Sequence, residues 1–269
     1  MSFARISAVS LRHIYLIRNN PSRLASVFLW LLVDVTLWGF ISKYLGSMGH
    51  ATFNFTTVIL GAIILWEFVT RVQQGMMTGF LEDVWSQNFI NYFASPLRLI
   101  EYLSGSVLTS LATGLLGFLM VIIVAAIAFG YNILIIGILL LPSLAILFVF
   151  GISMGVVVSG LIFRLGPTAE WLGWPIPLVL SLFSGVFYPV ATLPSYLQLV
   201  AKIIPASYVF ESVRAVVSGQ SLSAAILAQL LIAALLALIY LASAYLLFLH
   251  VYRRNLENGS IVQFNAESF

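Results

Sequence analysis

Residues 104–129, SGSVLTSLATGLLGFLMVIIVAAIAF, contain no charged side chain, and neither do residues 221–249. Each run exceeds the ~20 residues that carry a helix across the ~30 Å hydrocarbon layer. Lipid offers no water to backbone N–H and C=O groups, so repeated runs of this kind must form a helical bundle. A membrane β-barrel is excluded, because its strands are ~10-residue segments of alternating polarity. The rest of the chain agrees: 8% of its residues are charged, against about 25% in soluble domains.

Read outward from these runs, the chain is an all-α membrane protein with six transmembrane helices in one domain, residues 1–269. Residues 1–20 form an amphipathic helix at the membrane surface. Phe3, Ile6, Val9, His13 or Ile14, and Ile17 recur at helical spacing, and Arg5, Arg12 and Asn19 fall on another face. NNPSR, residues 19–23, is a turn. Span one is residues 24–44 with Asp34 near its middle, and span two is residues 53–80 with Glu67 and Arg71 inside it. A mixed segment, residues 81–102, forms a helix at the interface. Spans three and four are residues 104–129 and 133–163, joined by the tight Gly130–Asn132 turn. Span five is residues 171–188 and span six residues 221–250. The first apolar run is too long for a signal peptide and lacks a small-residue cleavage site, so it reads as a true span.

Six spans put both termini on one side. That side holds Arg5, Arg12, Arg18, Arg23, Arg98, Arg164, Arg253 and Arg254; the other holds Lys43, Lys202 and Arg214. The positive-inside rule makes the arginine-rich side cytoplasmic. Residues 189–218 then lie outside. Pro189 and Pro194 end span five, and Pro205 separates two apolar-leaning helices too short to cross the bilayer. These helices are expected to dip in and return, as broken backbone does where protein or water covers it.

Enzymatic chemistry finds no footing. Neither Gly-x-Ser-x-Gly nor His-Glu-x-x-His occurs, and there is no cysteine for a disulfide or thiolate metal site. The two lysines, Lys43 and Lys202, follow Ser42 and Ala201, so no Gly-Lys pair exists to build a Walker A phosphate loop. If ATP drives this protein, another subunit binds it. Charges inside a membrane are costly and face protein or water. Glu67 and Arg71, four residues apart, can pair on one helix face. Asp34 has no partner nearby in the sequence. Gly151-x-x-x-Gly155, extended by Ser159, allows close helix packing, within the chain or across a dimer seam.

The order and spacing of these pieces resemble the permease subunit of ABC-2-type ABC exporters over nearly the whole chain. The segment EDVWSQNFINYFASPLRLIEYLSG looks like that family's coupling region. The segment FYPVATLPSYLQLVAKIIPASYVFESVRAVVSG looks like its signature before the last span, with Pro205, Tyr208, Glu211, Arg214 and Gly219 in place. The resemblance implies a homodimer with two separate ATPase subunits. Those subunits carry ATP and magnesium; this chain binds no cofactor, no metal and no nucleic acid. The coupling helix would meet the ATPase through Glu82, Asp83, Trp85, Ser86, Gln87, Asn88 and Phe89. An amphiphilic substrate (drug, lipid or glycan) would leave the cytoplasm of a plasma (inner) membrane past Asp34, Trp38, Trp66, Glu67 and Arg71. Phe187, Tyr188, Pro189, Pro205, Tyr208, Glu211 and Arg214 would form the external gate. The alternative is a proton-coupled secondary transporter using Asp34 or Glu67.

Overall fold

The computed structural model describes residues 1–19, 21–48, 55–86, 88, 91–92 and 95–258. All regular structure among them is helical: α1 Phe3–Arg18, α2 Pro21–Met48, α3 Phe55–Trp85, α4 Leu99–Phe129, α5 Leu140–Leu165, α6 Pro175–Phe183, α7 Ser195–Ile203, α8 Pro205–Val217 and α9 Ala224–Glu257. Segments Ile133–Leu139 and Pro167–Gly173 are 3₁₀ turns leading into α5 and α6.

Four described segments are long and apolar enough to cross a membrane: Leu29–Ser47, Leu99–Phe129, Ile133–Leu165 and Ala224–Glu257. At 31 residues α3 is equally long, but it carries Glu67, Arg71, Glu82 and Asp83. Its position accounts for those charges. α3 packs against α2, α4, α5 and α8 and is buried on nearly every face from Leu60 to Val84. A helix with ionisable groups is excluded from lipid contact by their desolvation cost, so it takes the centre, with α2, α4, α5 and α8 packed around it.

The small residues of α5 make that centre compact. A Cβ on Gly155 would stand 2.6 Å from Met76 Cβ, and one on Gly151 would stand 3.0 Å from the Val69 carbonyl. The Gly-x-x-x-Gly stripe is therefore spent inside the chain, seating α5 on α3.

Three expected boundaries shift. Residues 81–85 are the last turns of α3 and residues 99–102 the first of α4, so residues 81–102 are not one separate helix. Leu81 and Val84 continue the buried face of α3, and no breaker interrupts it. The fourth segment is bent, with Gly137 at φ 62° and ψ −140° before α5 begins. Span five is broken. Its α-helical part, α6, has nine residues and rises only about 14 Å. Pro167, Pro175 and Pro177 interrupt the backbone donors there. The amphipathic first helix and the two short helices divided at Pro205 form where the pattern placed them.

Candidate functional site

At the end of the bundle where α1 lies, one carboxylate gathers three elements. Asp83, fully buried, sits in the last turns of α3. His13 Nε2 lies 3.1 Å from its Oδ2, and Tyr102 donates to the same oxygen at 2.8 Å. Arg12 donates to Oδ1, and so does the Tyr92 hydroxyl at 3.3 Å. A carboxylate offers about four lone-pair sites, and these four donors occupy them. Arg12 also reaches Tyr92 Oη at 2.8 Å and Ser86 Oγ at 3.3 Å, with its guanidinium 5.6 Å from the Tyr92 ring centre. His13 Nδ1 is buried without a hydrogen-bond partner, so the ring is held through Nε2 alone.

Burial by itself would raise the Asp83 pKa. The His13 hydrogen bond and the charges of His13 and Arg12 outweigh it and hold the carboxyl below its ordinary value. Burial, with Asp83 adjacent, pushes Tyr92 up to about 12, so it stays a hydroxyl donor. Burial works against the Arg12 charge, yet the Asp83 carboxylate raises its pKa above the ordinary value.

A second carboxylate ties α1 to the start of α4. Glu101 accepts from Ser2 N at 2.7 Å, Arg98 N at 3.0 Å and Arg5 Nη1 at 3.3 Å. Arg5 also donates to the Pro96 carbonyl at 2.7 Å. Between these two clusters Ser10 Oγ donates to the Gly105 carbonyl at 2.7 Å. The backbones approach closely there, since a Cβ on Gly105 would meet Val9 Cβ at 2.6 Å. The polar face of α1 thus turns into the protein, while Phe3, Leu11 and Tyr15 are exposed.

Of the residues expected to meet another subunit, Asp83 faces inward and Glu82 is also buried. Trp85 is 53% exposed, Ser86 is exposed, and Asn88 is half-buried and accepts from Asn91. Gln87 and Phe89 lie outside the described residues. Reversing the charge of Asp83 therefore acts on the fold first.

Halfway along α3, Arg71 Nε and Nη2 each lie 3.4 Å from Glu67 Oε2. Asp34 of α2, without a partner nearby in the sequence, lies beside Glu67. One turn further along α2, Trp38 stacks on Phe187 at 4.7 Å and 20°. Trp66 of α3 contacts Phe210 of α8 at 6.0 Å. The five candidate path residues thus fall on two adjoining helices, α2 and α3.

At the far end, α8 is embedded against α3, α5 and α9, and α7 exposes Tyr196, Leu199 and Ile203. Glu211 accepts from Val190 N at 2.9 Å and from Arg214 Nη1 at 2.8 Å. Arg214 also donates to the Gly185 carbonyl at 2.5 Å. Tyr208 donates to the Lys202 carbonyl at 2.9 Å and Tyr188 to Leu182 at 2.6 Å. Pro205 opens α8, while Phe187 and Pro189 sit in the turn that Arg214 pins. Glu211 and Arg214 thus tie α8 to the 185–190 turn, while Tyr208 ties it to the end of α7.

Sequence reasoning missed the α1 latch. Arg12 counted only toward the polar face of the first helix and toward sidedness, and Tyr102 and Glu101 drew no notice. Their partners lie up to 99 positions away, so no spacing motif records them. The acidic pair Glu82-Asp83 at the end of a long helix, with Arg12-His13 on the first helix, was the available signal.

The described helices thus make a multi-pass membrane bundle with a latched amphipathic helix and a broken helical pair. The family model for the ABC-2 type transporter matches residues 5–218, a stretch that takes in the latch, the α2–α3 charges and the hairpin. The chain belongs to that family, whose permeases work with ABC ATPase partners. A search of the curated proteins found no match.

Proposed function

We propose that this chain is the permease of an ATP-driven exporter, working as a homodimer with two ATPase subunits that carry ATP and magnesium. Its six spans are α2, α3, α4, residues 133–165, residues 167–183 and α9, with both termini in the cytoplasm of a plasma (inner) membrane. The cargo is an amphiphile of drug, lipid or glycan type. The observation that carries the reading is the latch on Asp83. It ties α1, Ser86, Tyr92 and the ends of α3 and α4 together, at the face where an ATPase would dock. Trp85, Ser86 and Asn88 offer the surface to be gripped.

The consequences run along α3. Trp66 lies about 26 Å up the helix from Asp83, in contact with Phe210 of α8. Displacing the latch when the ATPases close would move the Trp66 end against α8 and loosen the gate held by Arg214 and Glu211. Asp34, Trp38, Trp66, Glu67 and Arg71 would line the path. The exposed stripe Trp30, Val33, Leu37, Phe40 and Tyr44 of α2 supplies an apolar face for the second copy.

The proximity of Asp34 to Glu67 favours a second reading, a proton-coupled carrier using Asp34 or Glu67. Purification of the full chain from its native membranes in mild detergent separates the two. An ATPase recovered at equal stoichiometry, with ATP hydrolysis in the eluate, supports the exporter. A chain recovered without an ATPase, whose transport in vesicles follows an imposed pH gradient, refutes it.

A further inference from the structure

Two aromatic contacts join the hairpin end of the bundle to the helices that carry charge, and they differ in burial. Trp66 and Phe210 are both buried, whereas Trp38 and Phe187 are both half-buried. Trp38 and Phe187 stack with centroids 4.7 Å and planes 20° apart. The place of the indole follows from its position on α2. Asp34 lies one turn N-terminal on the same face. Helical side chains lean toward the N-terminus, so Trp38 lies over Asp34. Asp34 in turn lies beside Glu67, which Arg71 meets at 3.4 Å. The ring pair therefore stands between these charges and the hairpin end of the bundle.

The two halves of the stack are held differently. Gly39, next to Trp38, is pressed against Phe129, whose ring a Cβ there would overlap. The backbone under Trp38 is thus seated on α4. Phe187 instead belongs to the turn after α6, which bends at Gly185 with φ 71°. That turn is fixed from α8. Arg214 donates to the Gly185 carbonyl at 2.5 Å, Glu211 accepts from Val190 N at 2.9 Å, and Ser207 donates to the Phe183 carbonyl at 3.4 Å. A shift of α8 therefore carries Phe187 with it, while Trp38 stays on α4. Charges at this depth face protein or water, and parting the rings exchanges the first for the second.

We propose that the Trp38–Phe187 stack is a lid over the Asp34, Glu67 and Arg71 cluster, closed in this structure and opened when α8 draws the 184–190 turn away from α2. Opening connects those charges to the external solution. The proposal rests on the topology of the reading above, with the hairpin outside, and applies to either energy source.

The chain contains no cysteine, so an introduced thiol can be followed without background. The full-length protein is expressed in spheroplasts, treated from outside with a membrane-impermeant maleimide and purified to read the label. Asp34→Cys should label slowly. Adding Phe187→Ala should quicken it about tenfold, the upper weight of one aromatic pair, and adding Phe187→Tyr instead, which keeps a ring, should leave it slow. Arg214→Gln touches neither ring and should also quicken it, by freeing the turn. Lys43→Cys, exposed beyond the stack, should label at one rate in every background, which reports that each variant is folded. Equal rates for Asp34→Cys with Phe187→Ala and with Phe187→Tyr would overturn the lid. So would a slow rate kept in Arg214→Gln, or a quickening of Lys43→Cys equal to that of Asp34→Cys. Labelling of Lys43→Cys from the cytoplasmic side alone would overturn the topology and the external lid with it. No ATPase or cargo enters the readout, so failure of the lid is distinguishable from failure of the export reading.

Discussion

Replacing Asp83 with Asn removes the charge that organises the latch and nearly preserves its shape. Four donors converge on that carboxylate, and the new amide NH₂ would point a fifth donor at one of them. Breaking a fully buried ion pair from one side costs ~3–5 kcal/mol. Arg12 keeps 29% of its side chain exposed, which places the effect at the low end, about 3 kcal/mol. At ~2–4 °C per kcal/mol for a chain of this size, the midpoint should fall by roughly 6–12 °C. Fluorescence-detected size exclusion of the heated full-length protein measures this directly. Arg12→Gln should cost less, about 1–2 kcal/mol, because His13, Tyr92 and Tyr102 remain on Asp83. The double variant should cost less than the sum of the singles, as interacting neighbours do. In the assembled transporter, Asp83→Asn should leave ATP hydrolysis and abolish its coupling to transport. If Asp83→Asn and Asp83→Lys both melt within 1–2 °C of the parent, where about 0.5 kcal/mol would account for the change, Asp83 is not the buried centre described here.

Three other expectations follow from the same geometry. Arg71→Gln leaves Glu67 and Asp34 facing each other without their cation, and should reduce folded yield more than the double change Glu67→Gln with Arg71→Gln; equal yields would assign the pair to the path rather than to the packing. Gly155→Leu drives a side chain into Met76 and should destabilise by about 1–3 kcal/mol or more, seen as a lower midpoint, whereas Gly219→Leu meets no neighbour and is limited by its backbone conformation alone. The third concerns pH. The Asp83 pKa lies below its ordinary value because the His13 hydrogen bond and the nearby positive charges outweigh burial. Its stabilisation is therefore complete above about pH 4 and is lost as pH falls through the depressed value. The parent should lose more midpoint than Asp83→Asn between about pH 5 and about pH 3, and parallel curves would contradict the assignment.

Much of this architecture was legible before any coordinates, for reasons that differ from element to element. The runs at 104–129 and 221–249 needed no context, because a charge-free run of that length has one stable solution in lipid. Pro205 divides α7 from α8 in any environment, since it has no N–H to continue a helix. Span five proved broken rather than one helix, because hydrophobicity reports where a segment sits and not whether its backbone stays helical. The 81–102 segment was misjudged because α3 runs on past the apolar run that defined it. Asp83 read as a docking residue because an acid beyond the end of a span is usually wet.

The sequence alone determined that this is a helical membrane bundle, where its longest charge-free runs lie and where proline breaks the chain. Those properties depend on local composition and on the solvation of backbone groups. Only the tertiary structure decided that α3 is the buried axis, that Gly151 and Gly155 serve α5–α3 packing, and that Arg12, His13, Tyr92 and Tyr102 close on Asp83. Each of these is a contact between groups tens of positions apart. No spacing encodes such a contact, because the bilayer fixes the depth of each helix while packing alone chooses its neighbours.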